Sequence, residues 1–543
     1  MRNIMIHIKL KGNTKACQKQ QEAHMARPNI VFVFADQLRY DSLGCNGNPI
    51  VQTPNIDTLA RDGTSFDQAF SATPICSPYR AQLLTGNFAH ANGVMCNEYR
   101  LFDDQRTLPQ VLGENGYRTA YVGKWHLGYG PYYQHRRYGF DDMYAYNCSH
   151  NYYNISYWHN DEGPFPFVEY APFGETQIAI DYLRQNAARP DECAGQGADD
   201  RSPVCLLLSW GPPHWNGLNK DRRYGDYPQE FNIYDPEEIP LSPNVPPPLE
   251  PYARREMADY YGMVTSLDEC MGRLLDAIDE MGIAGNTVVC FSSDHGDFVG
   301  SHGYLTPNDE WLPEERRLSK GSPYTEACKI PLLVRWPGRV PAHRRSECLF
   351  NSVDLMPTLL NLCGIEPHEM QGIDLSHAVL GGEGSDPESI FLEILGPGFP
   401  PRPGHMVLWR AVRTHRFIYA RWMYPEGRRM LIDLEEDPDE MTNLADSPEH
   451  AKVASELDLL LHEWMDKTDD PFETGNRLPV TKMLDLGQAY TTTDWLEHAP
   501  REYAEAIKEN HKAFRTGEQE DDPIRGRTLG WEKHRRGDLE SYL

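Results

Sequence analysis

Ile30-Val31-Phe32-Val33-Phe34-Ala35 is a continuous apolar run, and Asp36-Gln37 follow it at once. A run without alternation of polar and apolar side chains is typical of a strand buried on both faces of a parallel sheet. Similar runs recur at residues 119–123, 204–209 and 287–291, with helical patterns between them. The alternation of strands and helices up to about residue 385 predicts an α/β domain with a large, doubly wound, mostly parallel sheet flanked by helices.

The pattern changes after residue 388. A helical pattern at about 447–467 follows four short strand patterns, which lie at residues 390–395, 406–412, 417–422 and 430–434. Strands this close together predict a smaller C-terminal antiparallel sheet, packed by one helix. The chain is therefore divided into an unstructured N-terminal extension (1–26), a main α/β domain (27–388), a C-terminal antiparallel β/α subdomain (389–468) and a C-terminal tail (469–543).

Three segments of the main domain have distinctive patterns. Apolar residues recur at helical spacing over residues 261–282, and Gly282 is a suitable end for that helix. The proline-rich residues 240–251 predict an extended loop before it. Residues 129–170 contain ten Tyr without a helical or strand period, so we expect a long insertion. Its aromatic rings suit sugar recognition, and a packed surface loop is the alternative.

Composition limits the partners and the compartment. The net charge of −28 over 543 residues argues against nucleic-acid binding. The sequence contains no run of 18 or more apolar residues, which a membrane-spanning helix would need. The 12 Cys lack the C-x-x-C spacing of zinc sites, and their scatter is typical of free thiols in a reducing compartment. The polar start of the chain lacks a signal-peptide core, so the sequence predicts a cytoplasmic protein, with Met25 as an alternative start.

Cys76-Ser77-Pro78-Tyr79-Arg80 is the clearest candidate for a reactive site. Pro78 suits the first position of a helix, Ser77 suits its N-cap, and Gly86 suits its end. This helix would place Cys76 at the positive end of the helix dipole, with Arg80 about one turn away on the same face. From these residues alone, a half-buried Cys beside a surface Arg is an equally good interpretation.

The order Cys-x-Pro-x-Arg, followed by Leu-Leu-Thr-Gly at residues 83–86, resembles the signature of the type I sulfatases of the alkaline phosphatase superfamily. The resemblance implies that a formylglycine-generating maturation enzyme oxidises Cys76 to formylglycine, whose hydrated aldehyde is the nucleophile. Tyr79 stands where the commonest form of the motif has a second Ser. The resemblance extends from about residue 28 to 444 and includes residues 354–360 and 434–444.

Asp36-Gln37 and Asp294-His295 each follow a buried strand pattern. If those strands are neighbours, the side chains converge at the carboxyl edge of the sheet, where oxygen ligands suit Ca²⁺ or Mg²⁺. A single strand-end Asp is more often a cap or turn residue. The two pairs are similar to the halves of the sulfatase metal site, to which the resemblance adds Cys76 as a ligand. Many members have Asp-Asp and Asp-Asn there; the nitrogen ligand of His295 would also suit Mn²⁺.

Further residues match the family's catalytic motifs: Lys124 and His126 in Gly-Lys-Trp-His, His214 in Pro-His, and Lys320 in Ser-Lys-Gly-x-x-Tyr. The resemblance implies that Lys124 and Lys320 hold the sulfate, while the metal and Arg80 hold the oxygens of the nucleophile. His214 or Lys320 protonates the leaving oxygen, and His126 takes a proton from the second hydroxyl of the nucleophile. Taken singly, each of these residues is more often a solvated surface residue.

The resemblance thus implies a sulfatase, a sulfuric ester hydrolase, acting on a sulfated sugar or oligosaccharide or another small sulfate ester. The acidic surface would repel a long polyanion. A phosphonate monoester or phosphodiester hydrolase of the same superfamily is the first alternative, and it generally lacks the Lys124-x-His126 pair. A binding protein in which Cys76 stays a thiol is the second. We expect no nucleic-acid or membrane partner; the tail wraps the domain or joins a homo-oligomer.

Overall fold

The computed structural model describes residues 27–187, 202–214, 227–303, 320–395, 409–422, 427–470 and 472, except for positions 98, 100, 103, 154 and 168. The predicted N-terminal extension (1–26) and nearly all of the predicted tail lie outside the described residues. The same is true of residues 406–408, where one of the C-terminal strands was predicted to begin.

Sixteen strands are found in the described part of the chain. In chain order they are β1 (Asn29–Asp36), β2 (Thr64–Phe66), β3 (Ala69–Phe70), β4 (Arg118–Lys124), β5 (Asp142–Tyr146), β6 (Ile155–His159), β7 (Glu162–Phe167), β8 (Val204–Pro213), β9 (Thr287–Ser293), β10 (Leu332–Arg335), β11 (Arg344–Ser346), β12 (Phe350–Asn351), β13 (Ile390–Ile394), β14 (Trp409–Arg413), β15 (Phe417–Trp422) and β16 (Arg429–Asp433).

The α-helices of the described residues lie mostly between these strands. In chain order they are α1 (Pro54–Arg61), α2 (Cys76–Thr85), α3 (Ala89–Asn92), α4 (Leu108–Glu114), α5 (Ala171–Asn186), α6 (Glu250–Glu280), α7 (Thr325–Cys328), α8 (Leu355–Leu362), α9 (Ser376–Leu380) and α10 (Ala451–Lys467).

Among the described residues, ten strands form the main sheet in the order β11-β2-β10-β9-β1-β8-β4-β5-β6-β7. The five consecutive strands from β9 to β5 in this order are parallel to their neighbours. Side chains of β1 point alternately to the two faces of the sheet. On one face Phe32 and Phe34 pack with α2, α4 and α8. On the other face Val31 and Val33 pack with α1, α5 and α6. Helices therefore cover both faces, which confirms the doubly wound, mostly parallel sheet.

The carboxyl ends of the central strands form the edge of the sheet that matters for function. Asp36 is the last residue of β1 and Lys124 the last of β4, while His214 and Asp294 directly follow β8 and β9. Because β9, β1, β8 and β4 are parallel neighbours, these four side chains meet at one edge. The sequence prediction of convergence at this edge is confirmed for these strands.

The prediction that residues 129–170 form an insertion without a strand pattern is wrong. Strands β5, β6 and β7 lie within it and extend the main sheet at one side. A register irregularity between Tyr157 and His159 breaks the alternation of side chains in β6. The edge strand β7 contains Pro164 and Pro166, which only an edge strand tolerates easily. These two features concealed the strand pattern.

The predicted boundary before the long helix is also wrong. The helix α6 has 31 residues and begins at Glu250 instead of Tyr261. Pro251 lies in its first turn, where a missing backbone N–H costs nothing. The expected extended loop is shorter, and Pro247–Leu249 form a 3-10 turn.

The strands β13 to β16 form a four-stranded antiparallel sheet next to the main domain. One face packs on Phe70, Ile75 and Cys328 of the main domain. The other face is covered by α10, which contributes residues such as Leu457 and Leu461. The prediction of a smaller C-terminal antiparallel sheet with one helix is confirmed, while the boundary at residue 388 stays a prediction.

Two further observations concern the environment of the chain. In the part that the structure describes, no helix is both long enough and apolar enough to span a membrane. The ten cysteines in that part are all free thiols. The cytoplasmic location stays a prediction.

Candidate active site

The helix α2 begins at Cys76, so the predicted helix start is two residues late. Ile75 is the N-cap residue, and Gly86 ends the helix with φ = 65°. Ser77 does not cap the helix; instead its backbone N–H donates to Asn97 Oδ1 (3.0 Å) and its Oγ donates to the carbonyl of His126. Cys76 therefore lies at the positive end of a fully buried helix, where an anion is favoured.

Four buried side chains bring metal-binding atoms together at this helix end. Cys76 Sγ lies 3.4 Å from Asp36 Oδ1 and 3.3 Å from His295 Nε2, and Asp294 Oδ1 lies 3.5 Å from His295 Nε2. All four ligand atoms lie within 4.8 Å of one another. His295 Nδ1 faces the carbonyl of Gly296 at 2.8 Å, so Nδ1 carries the hydrogen and Nε2 can act as a ligand.

Gln37 completes the predicted ligand set from an unusual backbone conformation. Its φ is 69°, and its backbone N–H donates to Asp294 Oδ1 at 2.9 Å. Its side-chain Nε2 donates to Asp297 Oδ2 at 2.6 Å, while Oε1 accepts from Lys320 Nζ at 3.1 Å. The sequence analysis missed Asp297, although an acidic residue three positions after Asp294 is visible in the sequence.

This set of donors fits a divalent cation. Asp36 and Asp294 supply carboxylate oxygens and Gln37 an amide oxygen, which suit a hard cation, and the imidazole of His295 widens the choice towards Mn²⁺. The Lys320 ammonium already lies among the donors, 3.1 Å from Cys76 Sγ and 3.4 Å from His295 Nε2. A positive charge is therefore accommodated here.

Arg80 contacts the carboxylates of the site. Its guanidinium donates to Asp36 Oδ2 at 3.3 Å and to Asp294 Oδ2 at 3.1 Å, and it also bonds Ser209 Oγ and the carbonyl of Lys124. Burial alone would raise the pKa of Asp36, but the charges of Lys124, Lys320 and Arg80 hold it well below its ordinary value. Arg80 thus keeps the ligands charged and in place; its predicted contact with the nucleophile stays a prediction.

Lys124 is fully buried at the end of β4, and its ammonium forms an ion pair with Asp36 Oδ2. Burial lowers the pKa of Lys124, but Asp36 raises it above its ordinary value, so the side chain carries its charge. Lys124 is therefore a buried cation beside the carboxylate of Asp36. Its role in holding sulfate stays a prediction.

Lys320 and His214 form a pair at the open side of the donors, with Lys320 Nζ 2.8 Å from His214 Nε2. The His150 ring stacks on the His214 ring, with centroids 3.8 Å apart and planes at 8°. Burial, His150 and Lys320 lower the pKa of His214 well below its ordinary value, so this imidazole is neutral. The stacking contact of His150 crosses between distant segments, and nothing in the sequence identified it.

His126 follows β4 with φ = 56°, and its backbone is held on both sides. The N–H donates to the carbonyl of Asn147 at 2.8 Å, and the carbonyl accepts from Ser77, the neighbour of Cys76. Burial, Lys124 and Arg80 lower the pKa of His126 well below its ordinary value. A neutral imidazole of this kind can accept a proton.

The structure thus brings the predicted site residues to one edge of the sheet and to the start of α2. Carboxylate, amide and imidazole donors lie beside Cys76, and Lys320, which pairs with His214, contacts Cys76 and two of these donors. Buried cations beside a strand edge and a helix N-terminus suit a small oxyanion such as a sulfate or phosphate group. Burial and the neighbouring Asp36 raise the pKa of the Cys76 thiol to about 11, so the thiol is not ionised at neutral pH.

Two family models match the chain. The model described as Sulfatase matches residues 28–365, and the model described as N-sulphoglucosamine sulphohydrolase, C-terminal, matches residues 314–467. The first match alone covers more than half of the 543 residues. The chain belongs to the sulfatase family and is a sulfuric ester hydrolase, as the sequence motifs predicted.

One relative is named as an ulvan-active sulfatase, and another protein of similar structure was solved with a sulfated glucosamine. The chain is similar to the ulvan-active sulfatase of Formosa agariphila, with 32% identity over 480 residues that cover 86% of each protein. It is also similar to a solved protein in complex with its substrate D-glucosamine-2-N,6-O-disulfate, with 25% identity and a TM-score of 0.66. That match covers 82% of this chain and 98% of the other.

The phosphonate monoester hydrolase of Agrobacterium radiobacter has the same fold. The TM-score is 0.64, the match covers 81% of this chain and 96% of that chain, and the identity is 22%. At this level of identity the likeness shows the fold alone.

Proposed function

We propose that this sulfatase removes sulfate from a sulfated sugar or oligosaccharide, with a formylglycine made from Cys76 as the nucleophile. The observation that carries the proposal is the position of Cys76. Its Sγ lies 3.4 Å from the carboxylate oxygen Oδ1 of Asp36, one of the metal donors, and 3.1 Å from the ammonium nitrogen of Lys320. A sulfate group in contact with residue 76 would therefore meet the positive charge of Lys320 and, once a cation is bound, that of the cation.

The proposed cation is Ca²⁺, with Mg²⁺ and Mn²⁺ as alternatives. Its proposed ligands are Asp36, Gln37, residue 76, Asp294 and His295. Held by these residues, the cation would supply Lewis-acid chemistry next to residue 76, where the formylglycine hydrate would supply the attacking hydroxyl.

The chain's own cations compensate the charge of the sulfate. Lys124 is buried and charged beside Asp36, and the ammonium nitrogen of Lys320 lies 3.1 Å from Cys76 Sγ. Because both ammonium groups are already in place and largely shielded from water, little reorganisation is needed as charge develops on the sulfate oxygens. Arg80 contributes indirectly, by holding Asp36 and Asp294 in their positions.

Proton transfer is proposed for two histidines. Lys320 and His214 share a close contact at 2.8 Å, so a proton can pass from the ammonium through the imidazole to the leaving oxygen. His126 is a neutral imidazole whose backbone is linked to Ser77, next to the nucleophile. It can therefore take the proton of the second hydroxyl at residue 76, which allows sulfate to leave.

A small sulfated saccharide is the substrate class best supported. Both relatives described above act on sulfated sugars, and one was solved with a glucosamine disulfate. The net charge of −28 disfavours a long polyanion outside the pocket. Tyr129 and Tyr153 are exposed. Tyr129 lies three residues after His126, and Tyr153 directly follows Tyr152, whose hydroxyl donates to the carbonyl of His214. Tyr129 and Tyr153 are candidate contacts for sugar rings.

A phosphonate monoester or phosphodiester is the second candidate substrate. The pairs Asp36-Gln37 and Asp294-His295 resemble those of phosphonate monoester hydrolases, and the fold is shared with one of them. The presence of Lys124 and His126 favours the sulfate ester.

Mass spectrometry of the full chain, produced together with a formylglycine-generating enzyme, tests the nucleophile. A mass decrease of about 18 Da at Cys76 is expected. The modified protein and the Cys76→Ala variant are then assayed on an aryl sulfate, a phenyl phosphonate monoester and 6-sulfated glucosamine. Turnover of both sulfates by the modified protein only is the expected result. An unmodified Cys76, with the maturation enzyme active on a control protein, would contradict the proposal; turnover of the phosphonate only would favour the second candidate.

A further inference from the structure

The side chain of Gln37 is held at both atoms of its terminal amide. Its Nε2 donates to Asp297 Oδ2 at 2.6 Å, and its Oε1 accepts from Lys320 Nζ at 3.1 Å. Gln37 is 3% exposed and Asp297 is fully buried, so water does not compete for these contacts. The orientation of the amide is therefore set by the protein.

Asp297 decides which end of the amide faces the site. The oxygen and nitrogen of a Gln amide have nearly the same shape, so neighbouring groups determine their orientation. Asp297 Oδ2 lies 2.6 Å from Gln37 Nε2 and accepts a hydrogen bond from it, so the NH₂ group of Gln37 faces Asp297. The amide oxygen is left facing Lys320 and the other metal donors, and this oxygen is the only amide atom that can bind a cation.

Asp297 is itself anchored from the side away from the metal donors. Its Oδ1 accepts from the backbone N–H of Val299 at 3.2 Å. Arg39, which is 4% exposed, donates to the carbonyls of Asp297 at 3.0 Å and Phe298 at 2.7 Å. The carboxylate thus stands on a fixed loop and can impose its orientation on Gln37.

We propose that Asp297 is a positioning residue, which keeps the amide oxygen of Gln37 turned towards the divalent cation. The inference rests on the metal site proposed above. If the amide turned over, its N–H groups would face the cation and one ligand would be lost. Residues that orient metal ligands in this way typically change metal affinity by about 10–100-fold when they are mutated.

The test is a calorimetric titration of the full chain with Mn²⁺ and with Ca²⁺ after chelation, at fixed pH, with Cys76 unmodified. The Asp297→Asn variant keeps an oxygen for Val299 but presents an NH₂ group to the NH₂ group of Gln37. We expect its metal Kd to rise by about 10–100-fold. The matched control is Asp41→Asn, which removes a half-exposed carboxylate that pairs with Arg39; its Kd should change by less than about twofold.

Exchanging the amide and the carboxylate between positions 37 and 297 tests whether Asp297 positions Gln37 or only stabilises the fold. In the double variant Gln37→Glu with Asp297→Asn, an amide NH₂ again faces a carboxylate, and the second oxygen of the carboxylate introduced at position 37 faces the metal donors. We expect its Kd to return to within about threefold of the wild-type value, or below it. Failure of this exchange to restore binding, with the thermal unfolding of both variants unchanged, would overturn the inference.

If Asp297 acts by orienting Gln37, the effect of Asp297→Asn on the metal Kd must depend on the presence of Gln37. In the Gln37→Ala background the opposed NH₂ groups are absent, so adding Asp297→Asn should change the Kd by less than about twofold. This pair remains informative if Asp297→Asn alone fails to fold. A tenfold loss in that background would overturn the inference, as would an unchanged Kd in Asp297→Asn itself. A wild-type chain that binds no divalent cation would instead contradict the metal of the proposed function.

Discussion

Two buried clusters in this protein contain the same kinds of residue and behave differently. The catalytic cluster consists of Asp36, Cys76, Asp294 and His295, and the interdomain cluster consists of His90, Glu393 and Asp470. Each places a histidine against carboxylates within the reach of a metal ion. The difference lies in whether the partners of each histidine ring nitrogen accept or donate a hydrogen.

The interdomain cluster is saturated. His90 Nδ1 lies 2.7 Å from Glu393 Oε2, and Nε2 lies 2.9 Å from the carbonyl of Thr468. Because both partners only accept, both ring nitrogens must carry hydrogen, and the imidazole is cationic. Arg410 donates a hydrogen bond to Asp470 Oδ1, so this carboxylate also has a partner. No lone pair of His90 is left for a metal, and the cluster works as an ion network between the main domain and the C-terminal subdomain.

The catalytic cluster keeps one lone pair available. His295 donates Nδ1–H to the carbonyl of Gly296, and its Nε2 faces Cys76 and the Lys320 ammonium. Burial lowers the pKa of His295, and Lys320 opposes the effect of Asp294, so the ring is neutral. The lesson is that the partners of each ring nitrogen, and not the residue types, distinguish a metal site from a structural ion network.

The largest expected effect is a loss of catalytic activity when the catalytic cluster, but not the interdomain cluster, is mutated. Asp294→Asn removes a ligand of the proposed cation and should lower kcat/KM on an aryl sulfate by at least about 10³-fold. Glu393→Gln removes a buried carboxylate that also faces a histidine, and it should change kcat/KM by less than about threefold while lowering stability. Both variants are assayed at low temperature after circular dichroism has shown that they are folded. Equal losses of activity would remove the functional distinction.

The next largest effect concerns Lys124, the buried cation that pairs with Asp36 of the catalytic cluster. Lys124→Ala should lower kcat by about 10²–10³-fold, because a charge that is proposed to hold the sulfate is lost. Tyr129→Ala is the matched control, since Tyr129 is 43% exposed and lies only a few residues along the chain. We expect its effect to fall mainly on KM for a sulfated sugar. A comparable loss of kcat in both variants would contradict the division between the catalytic centre and the surrounding surface.

The charge of His90 makes stability depend on pH. Burial lowers the pKa of His90, but Glu393 and Asp470 raise it to about 9, from 6.5 in the unfolded chain. Since the folded state binds this proton more tightly, the stabilisation is complete below about pH 6.5 and is lost as pH rises through about 9. The loss should amount to about 3 kcal/mol.

Urea unfolding at pH 6.5 and 9.5 measures this effect as the difference between the wild type and His90→Asn. His377→Asn is the control, because His377 pairs with Asp386 near the surface (2.9 Å) and should contribute less than about 1 kcal/mol. Equal pH dependence in the wild type and His90→Asn would show that His90 is neutral in the folded protein.

The smallest expected effect is stabilisation by the cation itself. Mn²⁺ or Ca²⁺ at one hundred times its Kd should stabilise the folded chain by about 2.7 kcal/mol. The increase should persist in Glu393→Gln and disappear in Asp294→Asn, which differential scanning calorimetry can measure. A shift that survives in Asp294→Asn would assign the cation to another place in the molecule.

Structural features with a local signal in the sequence are the ones that could be predicted. The apolar run of β1 and the acidic residue at its end were predicted, because side chains buried on both faces leave an uninterrupted pattern. The start of α2 was predicted two residues late, because Ser77 bonds to His126 and does not cap the helix. The strands β5 to β7 were missed, because their alternation is broken by a register irregularity and by prolines at an edge.

The site was predictable only to the level of its motif residues. Asp36, Cys76, Lys124, His214 and Lys320 were recognised because their chemistry is carried by short motifs at strand and loop ends. The contacts that tune them were not recognised, because they join distant parts of the chain: Asp297 is 260 residues from Gln37, and His90 is 303 residues from Glu393.

The class of fold and the motif residues of the site, Cys76 among them, can be recognised from the order of the amino acids alone. Burial patterns and short motifs are properties of neighbouring residues, so they can be recognised in the chain without its fold. The folded arrangement was needed to establish that His295 is neutral and open to a ligand while His90 is charged and saturated. Hydrogen bonding and charge depend on which groups meet in the folded interior, because the low dielectric there strengthens the electrostatic effect of each partner.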